Sequence, residues 1–138
     1  MRFERTYACS QEELWRALTR PDVLSTWYDQ MIDFDSSQLD FAAGASLVFV
    51  AKDAHLFSAQ YGRITRIDPP HLLEYTRASD VLRWRLAPAG SGASRLVLTV
   101  VGEAQASAIA GAPLLRAALD RLGTTLSGTV STAADPDE

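Results

Sequence analysis

One amphipathic helix near the C-terminus limits what the rest of this chain can fold into. Leu114, Leu115, Ala118, Leu119, Leu122 and Leu126 recur at helical spacing, so residues 113 to 126 carry one apolar stripe. Pro113 suits a first helical turn, where its missing N–H would go unpaired in any case. Gly123 weakens the last turn and Gly128 offers a stop. Nothing else beyond residue 30 reads as a long helix; nearly all of it reads as strand. A sheet with one apolar face needs a cover, and this helix is the only large one the sequence offers.

The chain has 138 residues, enough for one domain with a substantial core. The reading places a single domain over residues 1–126 and a frayed, acidic tail over 127–138, ending Asp-Pro-Asp-Glu. A formal net charge of −4 and the lack of a clustered Lys/Arg run argue against nucleic acid as a partner. Cys9 is the only cysteine, so no internal disulfide can form. No run approaches the length of a membrane span and no apolar signal core opens the chain, which predicts a cytoplasmic protein with no membrane partner.

In chain order, residues 1 to 8 alternate as a strand with Phe3, Arg5 and Tyr7 on one side. A buried Arg5 would then need a carboxylate or hydroxyl partner. Ser10 and Glu13 form a capping-box pair opening a helix, with Cys9 and Leu14 as its staple. Pro21 ends that helix and opens a second short one bearing Val23, Leu24 and Trp27. From Met31 the period becomes two. Strands are predicted over 31–39, 46–51, 56–67 (with Gly62 as a bulge), 71–77, 81–87 and 95–101, separated by turns at Gly44, Asp68-Pro69-Pro70 and the Gly/Ser loop 88–93. Residues 102 to 112 are small and Ala-rich, and either start the last helix early or lead into it.

The order strand, two short helices, six consecutive strands, long helix predicts an α+β protein. A twisted, curled seven-stranded antiparallel sheet would surround the C-terminal helix, with the bent helix pair closing one end. This is a helix-grip arrangement. The residues also resemble a known family. The stretch from Ser10 to Tyr28, with Leu14-Trp15, Ala17-Leu18-Thr19, Pro21, Leu24 and Trp27, is similar to the signature of SRPBCC (START-like) proteins, and closest to the group named for the activator of the heat-shock-protein-ninety ATPase. Gly62-Arg63-Ile64, the run from Ile67 to Tyr75 and the run from Arg95 to Thr99 fit the same group. One departure stands out: Ala110-Gly111-Ala112-Pro113 keeps the family's glycine before the last helix but lacks the tryptophan beside it. The resemblance implies a cavity between sheet and helix, which in relatives holds lipids, steroids, hormones or polyketides, with some members acting as cyclases or hydrolases.

The residues themselves offer little catalytic chemistry. His55, His71 and Cys9 have no recognised ligand spacing, so neither a metal nor another cofactor is expected. There is no nucleophile elbow and no phosphate loop: Gly90-Ser91-Gly92 lies between strands. No catalytic residue is assigned. The aromatic residues carry the remaining signal. By alternation Trp27, Tyr28, Phe49, Phe57, Tyr61, Tyr75 and Trp84 gather on the inner wall, with Leu98, Leu115, Leu119 and Leu122 completing it. Tyr and Trp suit such a wall because each carries a hydrogen-bonding tip on an apolar body. Arg83 and Arg85 face outward, one of them paired with Glu74.

The leading expectation is therefore a protein that binds a small apolar molecule, with Tyr61, Tyr75 or Arg5 as its polar contact. An enzyme of the cyclase or hydrolase kind is the first alternative; Glu74, His55, Asp33 and Asp35 are its only titratable candidates. The second alternative is a co-chaperone-like module or homodimer using Leu56, Phe57 and the Ala-rich stretch 104–112 as a surface patch.

Overall fold

The computed structural model describes residues 2–28, 32–53, 59–102, 105–127 and 132–134. Strand β1 (Arg2–Tyr7) buries Phe3, Arg5 and Tyr7 on one face, as alternation requires. Helix α1 (Gln11–Thr19) starts at Ser10, whose hydroxyl accepts from the Glu13 N–H at 3.2 Å. Its apolar side, Leu14, Ala17 and Leu18, is buried. Arg20 separates it from α2 (Pro21–Trp27), which opens on Pro21. The two helices are tied together where the Trp27 indole N–H donates to the Ala17 carbonyl at 2.8 Å.

Strands β2 (Gln38–Leu39), β3 (Ser46–Phe49), β4 (Gln60–Asp68), β5 (Leu72–Arg77), β6 (Asp80–Pro88) and β7 (Ser94–Gly102) follow as an antiparallel meander. Strand β1 closes against β7, so the sheet order is β2-β3-β4-β5-β6-β7-β1 with a short β8 (Thr132–Ala134) outside β1. Helix α3 (Gln105–Ser127) lies on the inner face, touching β1, β7, α1 and α2.

The register builds the core in rows. Phe3, Leu98, Trp84 and Leu73 stand side by side across β1, β7, β6 and β5, all nearly inaccessible to solvent. From α3, Ala118, Leu119 and Leu122 complete the same cluster. Each such buried leucine contributes about 1.5–3 kcal/mol relative to an exposed one. Two polar contacts fix the helix on β1: the Tyr7 hydroxyl donates to the Leu119 carbonyl at 2.8 Å, and Arg5 approaches Asp120 at 3.8 Å. The carboxylate expected for the buried Arg5 is thus supplied by α3.

Four local expectations change. The strand expected over 31–39 shrinks to Gln38–Leu39 plus a single bridge from Ile32 to Ala51. Asp33 ends the pairing, because its carboxylate accepts from the N–H of Asp35 and the N–H and hydroxyl of Ser36, which curls the chain. In β4 the register shift falls between Ile64 and Arg66, not at Gly62. Gly62 serves a close approach instead: a Cβ there would collide with the Thr76 carbonyl oxygen. Helix α3 starts at Gln105, so Pro113 sits inside it, where the bond to the carbonyl of residue 109 is missing. Finally, residues 132–134 of the polar tail pair with β1 along Glu4–Thr6.

Candidate functional site

The inner wall is assembled from two places. The end of α2 delivers Trp27 and Tyr28, and the β5–β6 hairpin delivers Tyr75 and Trp84. Trp27 meets Tyr28 and Trp84 edge-on, with ring centroids 5.5 and 5.9 Å apart. Phe41 and Phe49 lie 6.1 and 6.3 Å from the Tyr75 ring. These separations are those of favourable aromatic pairs.

The polar tips of this wall converge. The Tyr75 hydroxyl donates to the Tyr28 hydroxyl at 3.5 Å, and Arg77 Nη1 donates to that same oxygen at 3.4 Å. Arg77 Nε donates to Gln60 Oε1 at 2.6 Å, and the guanidinium lies 4.8 Å above the Phe49 ring. Burial pushes the Tyr75 hydroxyl well above its ordinary pKa and the neighbouring Tyr28 adds to this; Trp84 and Arg77 oppose it. The Trp84 indole Nε1 is therefore near the Tyr75 hydroxyl. It is nonetheless buried with no acceptor at hydrogen-bond geometry among the described residues.

Helix α3 holds the site from the other side. Arg121 Nε donates to the Trp27 carbonyl at 3.2 Å and Nη2 to the Tyr28 carbonyl at 3.1 Å, capping the C-terminal end of α2. Burial raises the Tyr7 hydroxyl pKa too, consistent with its role as a donor to Leu119.

The structure brings together most of the residues that the sequence assigns to this wall. Trp27, Tyr28, Phe49, Tyr75, Trp84, Leu98, Leu119 and Leu122 are buried in one cluster, with Leu115 packed against it. Tyr61 is a correction. It is 66% exposed on the outer face, because Gly62 pairs with the inward Leu47 and Tyr61 therefore points the other way. Phe57 lies outside the described residues, as do Leu56 and His55. Sequence reading missed Arg77, Gln60, Phe41 and Arg121. For Arg77 a signal existed, since it follows Tyr75 by two residues and so shares its face; Phe41 lies beside a turn, where alternation gives no guide, and Gln60 is the first residue of β4.

The titratable candidates are occupied elsewhere. Glu74 lies on the outer face, bonded by Arg83 at 2.7 Å and by the Thr65 hydroxyl at 2.9 Å. Burial opposes its charge, but these hydrogen bonds outweigh it and hold the carboxyl below its ordinary pKa. This is the cross-strand pair expected from sequence. Asp33 is committed to its turn, and Asp35 is exposed. His71 meets Gln11 at 3.3 Å in the turn after Pro70. Among the described residues no three His, Cys, Asp or Glu side chains could share a metal ion.

An antiparallel sheet holding a long C-terminal helix, with two short helices after its first strand, defines the helix-grip class of α+β proteins. Within it, the chain belongs to the family described as Activator of Hsp90 ATPase homolog 1-like protein, part of the SRPBCC superfamily, whose profile matches residues 8–127. Solved structures agree in fold. A protein from Nitrosomonas europaea has a TM-score of 0.74 at 17% identity, covering 91% of this chain and 92% of that one. A protein from Rhodobacter sphaeroides gives 0.69 at 20% identity, with 91% and 90% covered. An AHSA1-like protein from Aeromonas hydrophila gives 0.67 at 20% identity, with 91% of each chain covered. No curated protein matches the sequence. The fold commonly binds hydrophobic ligands. Among the described residues no helix is long and apolar enough to cross a membrane.

Proposed function

We propose that this protein binds a small apolar molecule between the sheet and α3, with an oxygen acceptor of that molecule directed at the Trp84 indole N–H. The observation that carries the reading is that buried donor, set among the Tyr28 and Tyr75 hydroxyls without an acceptor of good geometry. A carbonyl or hydroxyl oxygen on the ligand would satisfy it and join the Tyr28–Arg77 network. The apolar body would lie against Trp27, Phe49, Leu98, Leu119 and Leu122, which belong to one buried apolar cluster. The habits of the fold favour the same reading.

Native mass spectrometry of protein purified from its own host tests this. The expected result is a retained apolar adduct that organic extraction removes. Bare protein alone, with no uptake of material from a host lipid extract, overturns the proposal.

A further inference from the structure

Arg2 of β1 and the arginines of β4, β6 and β7 are scattered in sequence but meet on the outer face of the sheet. The register sets Arg2, Thr99, Arg83, Glu74 and Arg66 in one row across five strands. The next row runs Glu4, Val97, Arg85, Leu72 and Asp68. Arg95 and Arg63 flank these rows. Six arginines thus share a face with the carboxylates of Glu4, Glu74 and Asp68, in a chain whose formal net charge is −4. Three of the arginines are committed within the face: Arg2 and Arg95 to Glu4, and Arg83 to Glu74. Arg66 lies in the field of Glu74. Arg63 and Arg85 are exposed and make no side-chain hydrogen bond or ion pair among the described residues. On the same face stand the two large apolar side chains most exposed to solvent, Tyr61 at 66%, two residues before Arg63, and Val101 at 59% on β7.

We propose that this outer face docks an acidic polypeptide segment of a partner protein, with Arg63, Arg66 and Arg85 as its anchors. Adjacent strands lie about 4.8 Å apart and residues along a strand about 3.3 Å, so Arg85 on β6 stands about 12 Å from Arg66 and about 16 Å from Arg63, within reach of carboxylates on one extended segment. Guanidinium forks match carboxylates bidentately. Three fixed carboxylates punctuate the face, which disfavours a continuous phosphate backbone, and Tyr61 and Val101 give apolar side chains a place to lie. The site is separate from the inner wall, and its outcome does not depend on whether an apolar ligand binds there.

The test uses fluorescence anisotropy with a labelled peptide alternating glutamate and valine, about ten residues long so that it spans the arginine rows. A single-stranded oligonucleotide of similar length and vesicles containing phosphatidylserine are the comparison arms. The expected result is saturable peptide binding that weakens with salt and falls by about five- to tenfold in the Arg63→Ala/Arg85→Ala double variant. The Arg16→Ala/Arg20→Ala variant, altered on α1 and at the residue joining it to α2, should bind as the unmodified protein does. Circular dichroism checks that both variants fold. Absence of peptide binding, equal loss in the Arg16→Ala/Arg20→Ala variant, no loss in the β4/β6 variant, or stronger binding of oligonucleotide or vesicles would each overturn the proposal.

Discussion

Arg121 Nη2 donates to the main-chain carbonyl of Tyr28 at 3.1 Å, and the same guanidinium reaches the Trp27 carbonyl. One side chain on the gripping helix therefore fixes the segment that presents both wall aromatics. Arg121→Ala is expected to destabilise the fold by about 1–3 kcal/mol, because two carbonyls lose charged donors. A urea titration should show a lower midpoint at constant slope. Arg121→Lys should recover only part of this, since a single ammonium cannot repeat the fork.

Gly62→Ala should be among the more damaging single-methyl additions in the sheet. The new Cβ meets the backbone carbonyl of Thr76, which cannot swing aside as a side chain could. A loss of about 1–3 kcal/mol is expected. Gly90→Ala provides the contrast: φ is +98° there but nothing lies within 4 Å of the added methyl, so the cost is the backbone term alone, about 1 kcal/mol. Thermal melts of the two variants distinguish collision from conformational strain.

Glu74 should make stability depend on pH in one direction. Its folded carboxyl titrates below the ordinary value of 4.5, through the Arg83 and Thr65 hydrogen bonds acting against burial. Its contribution is therefore fully present above that value and is lost as pH falls through the lower, folded-state pKa. Glu74→Gln should cost about 1–3 kcal/mol at neutral pH and flatten this part of the acid limb. Unfolding free energies measured from neutral to acidic pH on both proteins decide it.

Cys9 should be inert while the protein is folded. It is 4% exposed, and burial, helped by Glu13, pushes its thiol pKa up to about 11. At pH 8 almost none is thiolate. Labelling with a maleimide or disulfide reagent should be slow in buffer and accelerate steeply through the urea transition. Fast labelling of the native protein would show that the β1–α1 corner opens.

Much of this architecture can be read directly from residue periodicity. The alternation of Leu82, Trp84 and Leu86, the Ser10–Glu13 cap and the leucines of α3 each act through near neighbours, so local pattern reports them. Tyr61 shows where that stops. Its side is set by the phase of β4, which the register shift at Thr65 changes between Tyr61 and Ile67. A long alternating run with an unseen slip places half its residues wrongly. The Arg121 cap joins residues more than ninety positions apart, and the Arg63–Arg85 face exists only once strands are in register. The start of α3 was also hidden, since Ala-rich sequence favours helix without marking its face.

Whether an apolar ligand meets the Trp84 indole is decided by the indole N–H resonances of the three tryptophans during titration with a host lipid extract. Trp27 is already bonded to Ala17, and Trp15 lies on α1 at the edge of the core. The expected result is a large downfield shift of the Trp84 signal as its N–H gains an acceptor, with Trp15 unmoved, and loss of the response in Trp84→Phe. A Trp84 resonance that stays in place at saturating extract would contradict it.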